Sequence, residues 1–193
     1  MLLRHFSHML YEPKHSLEAA DRKPAKALDI IMHTALLALI PTVCGYIATA
    51  HTGWDLGAGD PFTIAQDKAL LIALAAFIVF NIGVYAMGFG ICWLAKTFDV
   101  KPNPIHCIEL ALFSSVPLFL TGLVALYPVL YINIVIGMLA VGASVYLLYT
   151  GIPIFMHIPE DQGFVYSTWV VSLGLVMIVV FLGFSVFMFS FLS

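Results

Sequence analysis

Five long apolar stretches run through this chain with almost no charge inside them: Ala27–Ala50, Ala69–Ala95, Ile105–Leu126, Val129–Thr150 and Phe164–Leu192. A helix needs about 20 mainly apolar residues to cross the hydrocarbon core of a bilayer. Each stretch is long enough. Lipid admits only helices and closed barrels as spanning structures, because every backbone polar group must be satisfied internally. The apolar/polar alternation of barrel strands is absent. The expected fold is therefore all-α: a polytopic membrane bundle of five transmembrane helices, with the lipid bilayer as its first partner.

Hydrophobic residues make up 62% of the 193 residues and charged residues 10%, against about 25% charged in soluble domains. One membrane domain, residues 27–193, accounts for the chain after a short N-terminal segment, residues 1–26. A net charge of −3 and the lack of a dense basic run exclude a nucleic-acid surface. Cys44, Cys92 and Cys107 are odd in number and form no CxxC pair. They read as buried free thiols acting as small hydrophobes. Residues 1–26 lack the apolar core of a cleavable signal peptide, so the first span is expected to stay.

Charge in the connections sets an expected orientation. Arg4, Lys14, Arg22, Lys23 and Lys26 precede the first span, and Lys96 and Lys101 lie between the second and third. The 51–68 connection carries Asp55, Asp60 and Asp67 against Lys68. Short loops rich in Lys and Arg stay cytoplasmic. The N-terminus is thus expected inside and the C-terminus outside, with the 151–163 connection inside although it holds Glu160 and Asp161 and no basic residue. Leu2, Leu3, Phe6, Met9 and Leu10 recur at helical spacing. They predict a short amphipathic helix on the inner leaflet that ends at Pro13. Pro41 and Pro117 fall near mid-span and predict kinks.

Ionisable groups inside a membrane are costly and mark candidate sites. Asp29 and His33 are four apart on one face of the first span; His106 and Glu109 are three apart on one face of the third. His157 and Glu160, with Asp161, precede the fifth span. All lie towards the cytoplasmic end. Clustered imidazole and carboxylate suit a divalent transition metal or a proton relay. The competing reading gives them structural partners: Asp29 caps its helix or pairs with Lys26, and Glu109 bonds to a neighbouring helix or to His33 or His106. Asn81 reads as an interhelical hydrogen-bonding residue. Gly137, Gly142, Ala143 and Ser144, with Ser172 and Gly174, read as a close contact between the fourth and fifth spans. No GxSxG, HExxH, phosphate-binding loop or dinucleotide fingerprint occurs, and no enzyme activity or cofactor is expected beyond that possible metal.

The string from Tyr146 to Ser167 is the most specific in the chain. It holds a Tyr-rich helix end (Tyr146, Tyr149), then Gly151, Pro153, Pro159, Glu160, Tyr166 and Ser167. It resembles the end of the fourth helix and the next loop in bacterial members of the YIP family (Ypt-interacting proteins, type-one Yip domain). Glu109 to Pro117 is similar to that family's small-residue run in the third helix, with Phe113 where the family has Tyr. The resemblance implies five spans, an N-terminus inside, and a bacterial inner membrane with the C-terminus periplasmic. Eukaryotic relatives are associated with Rab-type GTPases through a longer N-terminal region that this chain lacks, so that role is not carried over. Read without the family, Gly151 ends the fourth helix, Pro153 and Pro159 stiffen the loop, and Glu160 and Asp161 suit the start of the fifth.

Two functions follow. One is a non-catalytic membrane-organising or partner-binding protein, joined to its own copies or to other membrane proteins. The other is a channel or transporter for protons, divalent metal ions or a small solute.

Overall fold

A computed structural model describes residues 13–22, 26–55, 57, 61–98 and 100–192. The expected amphipathic pattern of Leu2 to Leu10 lies outside the described residues. The chain forms α1 (Pro13–Arg22), α2 (Ala27–Ile47, continued by a π-helical turn at Ala48–Thr52), α3 (Gln66–Ala95), α4 (Pro104–Leu120), α5 (Leu130–Met156) and α6 (Glu160–Leu192). Tight 3-10 turns, Lys96–Phe98 and Thr121–Leu126, follow α3 and α4. The helices α2 to α6 are each long and apolar enough to cross a membrane. No strand occurs among the described residues.

The helix boundaries have local causes. The described part of α1 begins at Pro13, which suits a first helical turn because its fixed φ is pre-set and its missing N–H is not needed there. Asn103 caps α4, its side-chain oxygen accepting from the Ile105 N–H at 3.0 Å, with Pro104 in the first turn. Gly151 does not end α5. The helix runs on through Pro153 to Met156 and stops at His157, which takes a left-handed conformation with φ 53°. A proline is tolerated there because neighbouring helices surround the weakened turn.

The helix α4 forms the centre, packed against α5, α3 and α2, while α6 leans on α5 and α3. Over half of the apolar window of α4 (56%) is buried, against 6% for α6. The core is apolar: Ile30, Leu37, Met87, Ile91, Leu110, Val116, Ile152 and Phe155 meet there. At the far end, the α2–α3 connection is tied to the α4–α5 turn. The Asp55 N–H donates to the Pro128 carbonyl at 2.9 Å, and the Leu130 N–H donates to the Asp55 carbonyl at 3.1 Å. Trp54 pairs with Phe62 in the same connection.

Three further expectations need correction. Cys92 and Cys107 are not free thiols. They form a disulfide between α3 and α4, with Cα atoms 5.8 Å apart, and Cys44 alone stays free among the described cysteines. The side chain of Asn81 does not reach another helix; its amide donates at 2.8 Å to the Phe77 carbonyl one turn back. Gly137 and Gly142 do not pack inside the chain, since a side-chain carbon at either would meet no atom within 4 Å. The close approaches lie elsewhere. A carbon added at Gly122 would stand 2.4 Å from the Pro41 Cα, so α2 and the turn after α4 touch backbone to backbone.

Candidate functional site

The polar groups converge at the end of the bundle where α1, the start of α4 and the α5–α6 turn meet. Leu17 of α1 is 1% exposed and lies over Gly151 and Leu110. Asp21, one turn further along α1, shares the face of Leu17. One of its carboxylate oxygens is 3.1 Å from His157 Nε2, and the other is 3.6 Å from His106 Nδ1. Asp21 therefore bridges an imidazole from α4 to one from the α5–α6 turn. The left-handed backbone at His157 accompanies this contact; His tolerates that conformation better than most residues with a side chain.

The expected cluster is only partly assembled. His106 and His157 come together, but around Asp21, which was not a candidate. Asp29 and His33 are half-buried on α2 and make no side-chain hydrogen bond or ion pair among the described residues. Glu109 lies one turn from His106 along α4, is 4% exposed, and is not without a partner. The backbone of Glu160 opens α6, in keeping with an acidic residue at a helix N-terminus. Among the described residues, no three His, Cys, Asp or Glu are arranged to hold a metal ion. The signal for Asp21 was present in the sequence: Leu17 and Asp21 are four apart, so an apolar and an acidic group share one helix face.

The string from Tyr146 to Ser167 forms the joint next to this cluster. Gly151 lets the Leu110 side chain approach α5: a carbon there would lie 2.5 Å from Leu110 Cδ1. Pro153 packs on Gly163, at 2.7 Å from the position of an added carbon. Tyr149 and Thr168 share a hydroxyl hydrogen bond of 2.9 Å. Tyr166 is fully buried; its hydroxyl donates to the Ile91 carbonyl and its ring lies 4.9 Å from that of Phe98. These contacts fasten α6 to α5 and to α3. Pro159 is exposed in the short turn between α5 and α6.

Three hydroxyls buried in the bundle are spent within their own helices. Thr34 donates to the Ile30 carbonyl at 2.8 Å, Ser114 to Ala111 at 3.0 Å and Ser167 to Gly163 at 2.7 Å. Such back-bonding leaves them little capacity to form a relay between helices. A groove of 380 Å³ between α3 and α6 is lined mainly by Trp93, Leu94, Phe98, Trp169, Leu173 and Val176. Its apolar walls suit lipid rather than an aqueous solute.

Comparison with known proteins gives a consistent picture. Residues 8–181 match the Yip1 domain family. The chain is 34% identical over 159 residues to the inner membrane protein YohC of Escherichia coli (strain K12), covering 82% of each protein. YohC of Escherichia coli O6:H1 gives the same identity and coverage. No solved structure matches the chain.

Proposed function

Because this chain belongs to the Yip1 domain family, we propose that it is a non-catalytic protein of the bacterial inner membrane that organises the membrane or binds partners through its flanks. The observation that carries this reading is the contrast between a mainly apolar centre and uncovered sides. The central helix α4 is wrapped by its neighbours around an apolar core, whereas α3, α5 and α6 turn most of their surface outward. A transport path needs polar groups that hand an ion or proton from one helix to the next. Thr34, Ser114 and Ser167 are instead committed to their own helices.

The flank of α5 is the natural contact surface. Tyr131, Val135, Met138, Gly142 and Tyr146 are exposed and follow one another at spacings of four, three, four and four residues, along one helix face. A glycine in such a row lets a second helix approach closely in lipid. The N-terminus faces the cytoplasm in this reading, by the excess of basic residues before α2.

Reconstitution tests the reading. Liposomes containing the purified protein are expected to pass protons and divalent cations no faster than empty ones. Flux that disappears in Glu109→Gln would replace this reading with transport. Gly142→Leu is expected to keep the melting temperature and reduce the size of the cross-linked species in membranes. An unchanged cross-linking pattern would remove α5 as the contact surface.

A further inference from the structure

The bond between Cys92 and Cys107 stands at the same end of the bundle as the basic loops. Cys92 is one turn before Lys96 at the end of α3, and Cys107 lies in the first turn of α4, directly after His106. Their Cα separation of 5.8 Å is within the ordinary range for a disulfide, so the backbone itself presents the two sulfurs to each other. On the topology proposed above, this end faces the cytoplasm, where thiol reductants keep static disulfides from persisting; bonds found there are usually transient and redox-responsive. A pair built to bond, placed at a reducing face, points to reversible use. The two sulfurs also differ: Cys107 is fully buried, whereas Cys92 is partly exposed.

We propose that Cys92 and Cys107 form a reversible thiol–disulfide site that opens and closes the α3–α4 hairpin at the cytoplasmic face, with Cys92 as the sulfur that meets the external reagent. For closure, the oxidant class is a peroxide. The Cys92 thiolate attacks one oxygen of hydrogen peroxide and breaks the O–O bond, giving a sulfenic acid and a hydroxide that takes up the proton released when the thiol ionised, as water. The Cys107 thiolate then attacks that sulfur and expels hydroxide, which takes up the proton released by the Cys107 thiol as a second water, leaving the disulfide. For opening, a dithiol attacks Cys92, releases the Cys107 thiolate, and resolves the mixed disulfide as its own cyclic disulfide. Two electrons move in each direction. Exposure and thiolate character govern the rate of such exchange, which assigns the first step to Cys92.

The test uses the full chain, folded in membrane vesicles. After dithiothreitol, the protein is expected to gain two maleimide-reactive thiols relative to its oxidised form, and dilute hydrogen peroxide is expected to remove both again. A bond that opens only in denaturant would make the pair a static brace, and thiols still reactive after peroxide would mean that no bond forms; either result overturns the proposal. With Cys107→Ser, Cys92 is expected to capture glutathione from glutathione disulfide. With Cys92→Ser, Cys107 is expected to react at least about tenfold more slowly. Equal rates would overturn the order of steps. Because the inference rests on the proposed topology, a membrane-impermeant maleimide is applied to reduced vesicles of both orientations. A static bond with this end labelled from outside the cell retires the topology, and a static bond with it labelled from the cytoplasm retires the redox site alone.

Discussion

Asp21 touches two imidazoles that come from different parts of the chain, and Leu17 one turn before it is sunk into the bundle. Together they decide whether α1 stays down. A hydrogen bond to a charged group contributes about 1.5–3 kcal/mol, and the 16% exposure of Asp21 argues for the low end. Asp21→Asn is expected to let α1 lift more often, so that trypsin cuts after Arg22 in the folded protein about tenfold faster, as a loss of about 1.5 kcal/mol implies. Leu17→Ala should act more strongly, since truncating a buried leucine costs about 2–5 kcal/mol. Equal cleavage of all three proteins would show that something other than this face holds α1. Glu109→Gln is the contrasting case. It keeps the shape of a group that is 4% exposed and removes its ability to ionise. Its expression and melting in detergent are expected to match the parent; a collapse of either would show that the carboxyl itself is required. At this scale the sequence was a partial guide. His106 and His157 were legible because ionisable groups near a membrane are rare. Asp21 was legible only as a helix-face neighbour of Leu17; its role was not, because in a polar segment one carboxylate looks like any other until the fold supplies its partners. The cysteine pair escaped for a related reason: a separation of 15 residues across a turn has no signature until the register of α3 against α4 is known.

Helices carry the next level of constraint, and glycine reports it well. At Gly122 an added carbon would press on the Cα and N of Pro41, which are backbone and cannot swing away. Gly122→Ala is expected to destabilise by about 1–3 kcal/mol, the usual cost of overpacking, read as earlier melting in detergent. Gly142→Ala meets no atom within 4 Å and gains helix propensity, so its melting should be unchanged or slightly later. Reversal of this order would mean that the α5 flank, and not the turn after α4, is the crowded surface. The existence of the five spans was readable because lipid leaves so few alternatives. Their ends were harder. Gly151 followed by Pro153 reads as a stop in a soluble chain, yet α5 continues through both because Leu110, Leu17 and Gly163 pack around that turn. Asn81 was expected to bridge helices, but the nearest acceptor in an apolar span is the carbonyl one turn back.

For the whole molecule, the proposed topology takes the five spans among the described residues as the full set and so puts the two termini on opposite sides. Reporter fusions at Ser193 are expected to behave as extracytoplasmic and fusions before Pro13 as cytoplasmic. A cytoplasmic signal at both ends would break the proposed orientation. The far end of the bundle adds a constraint on assembly. The N–H and C=O of Asp55 are satisfied by Pro128 and Leu130, residues synthesised more than 70 positions later. When α2 and α3 first enter the membrane, the Trp54–Phe62 pair can already close within their connection, but the N–H and C=O of Asp55 have no partner there and stay wet until the α4–α5 hairpin arrives beside them. Completion of the fold is thus recorded on the side opposite α1, as a change in one amide: slow hydrogen exchange at Asp55 marks a chain whose second hairpin has inserted, and fast exchange marks one still waiting for it.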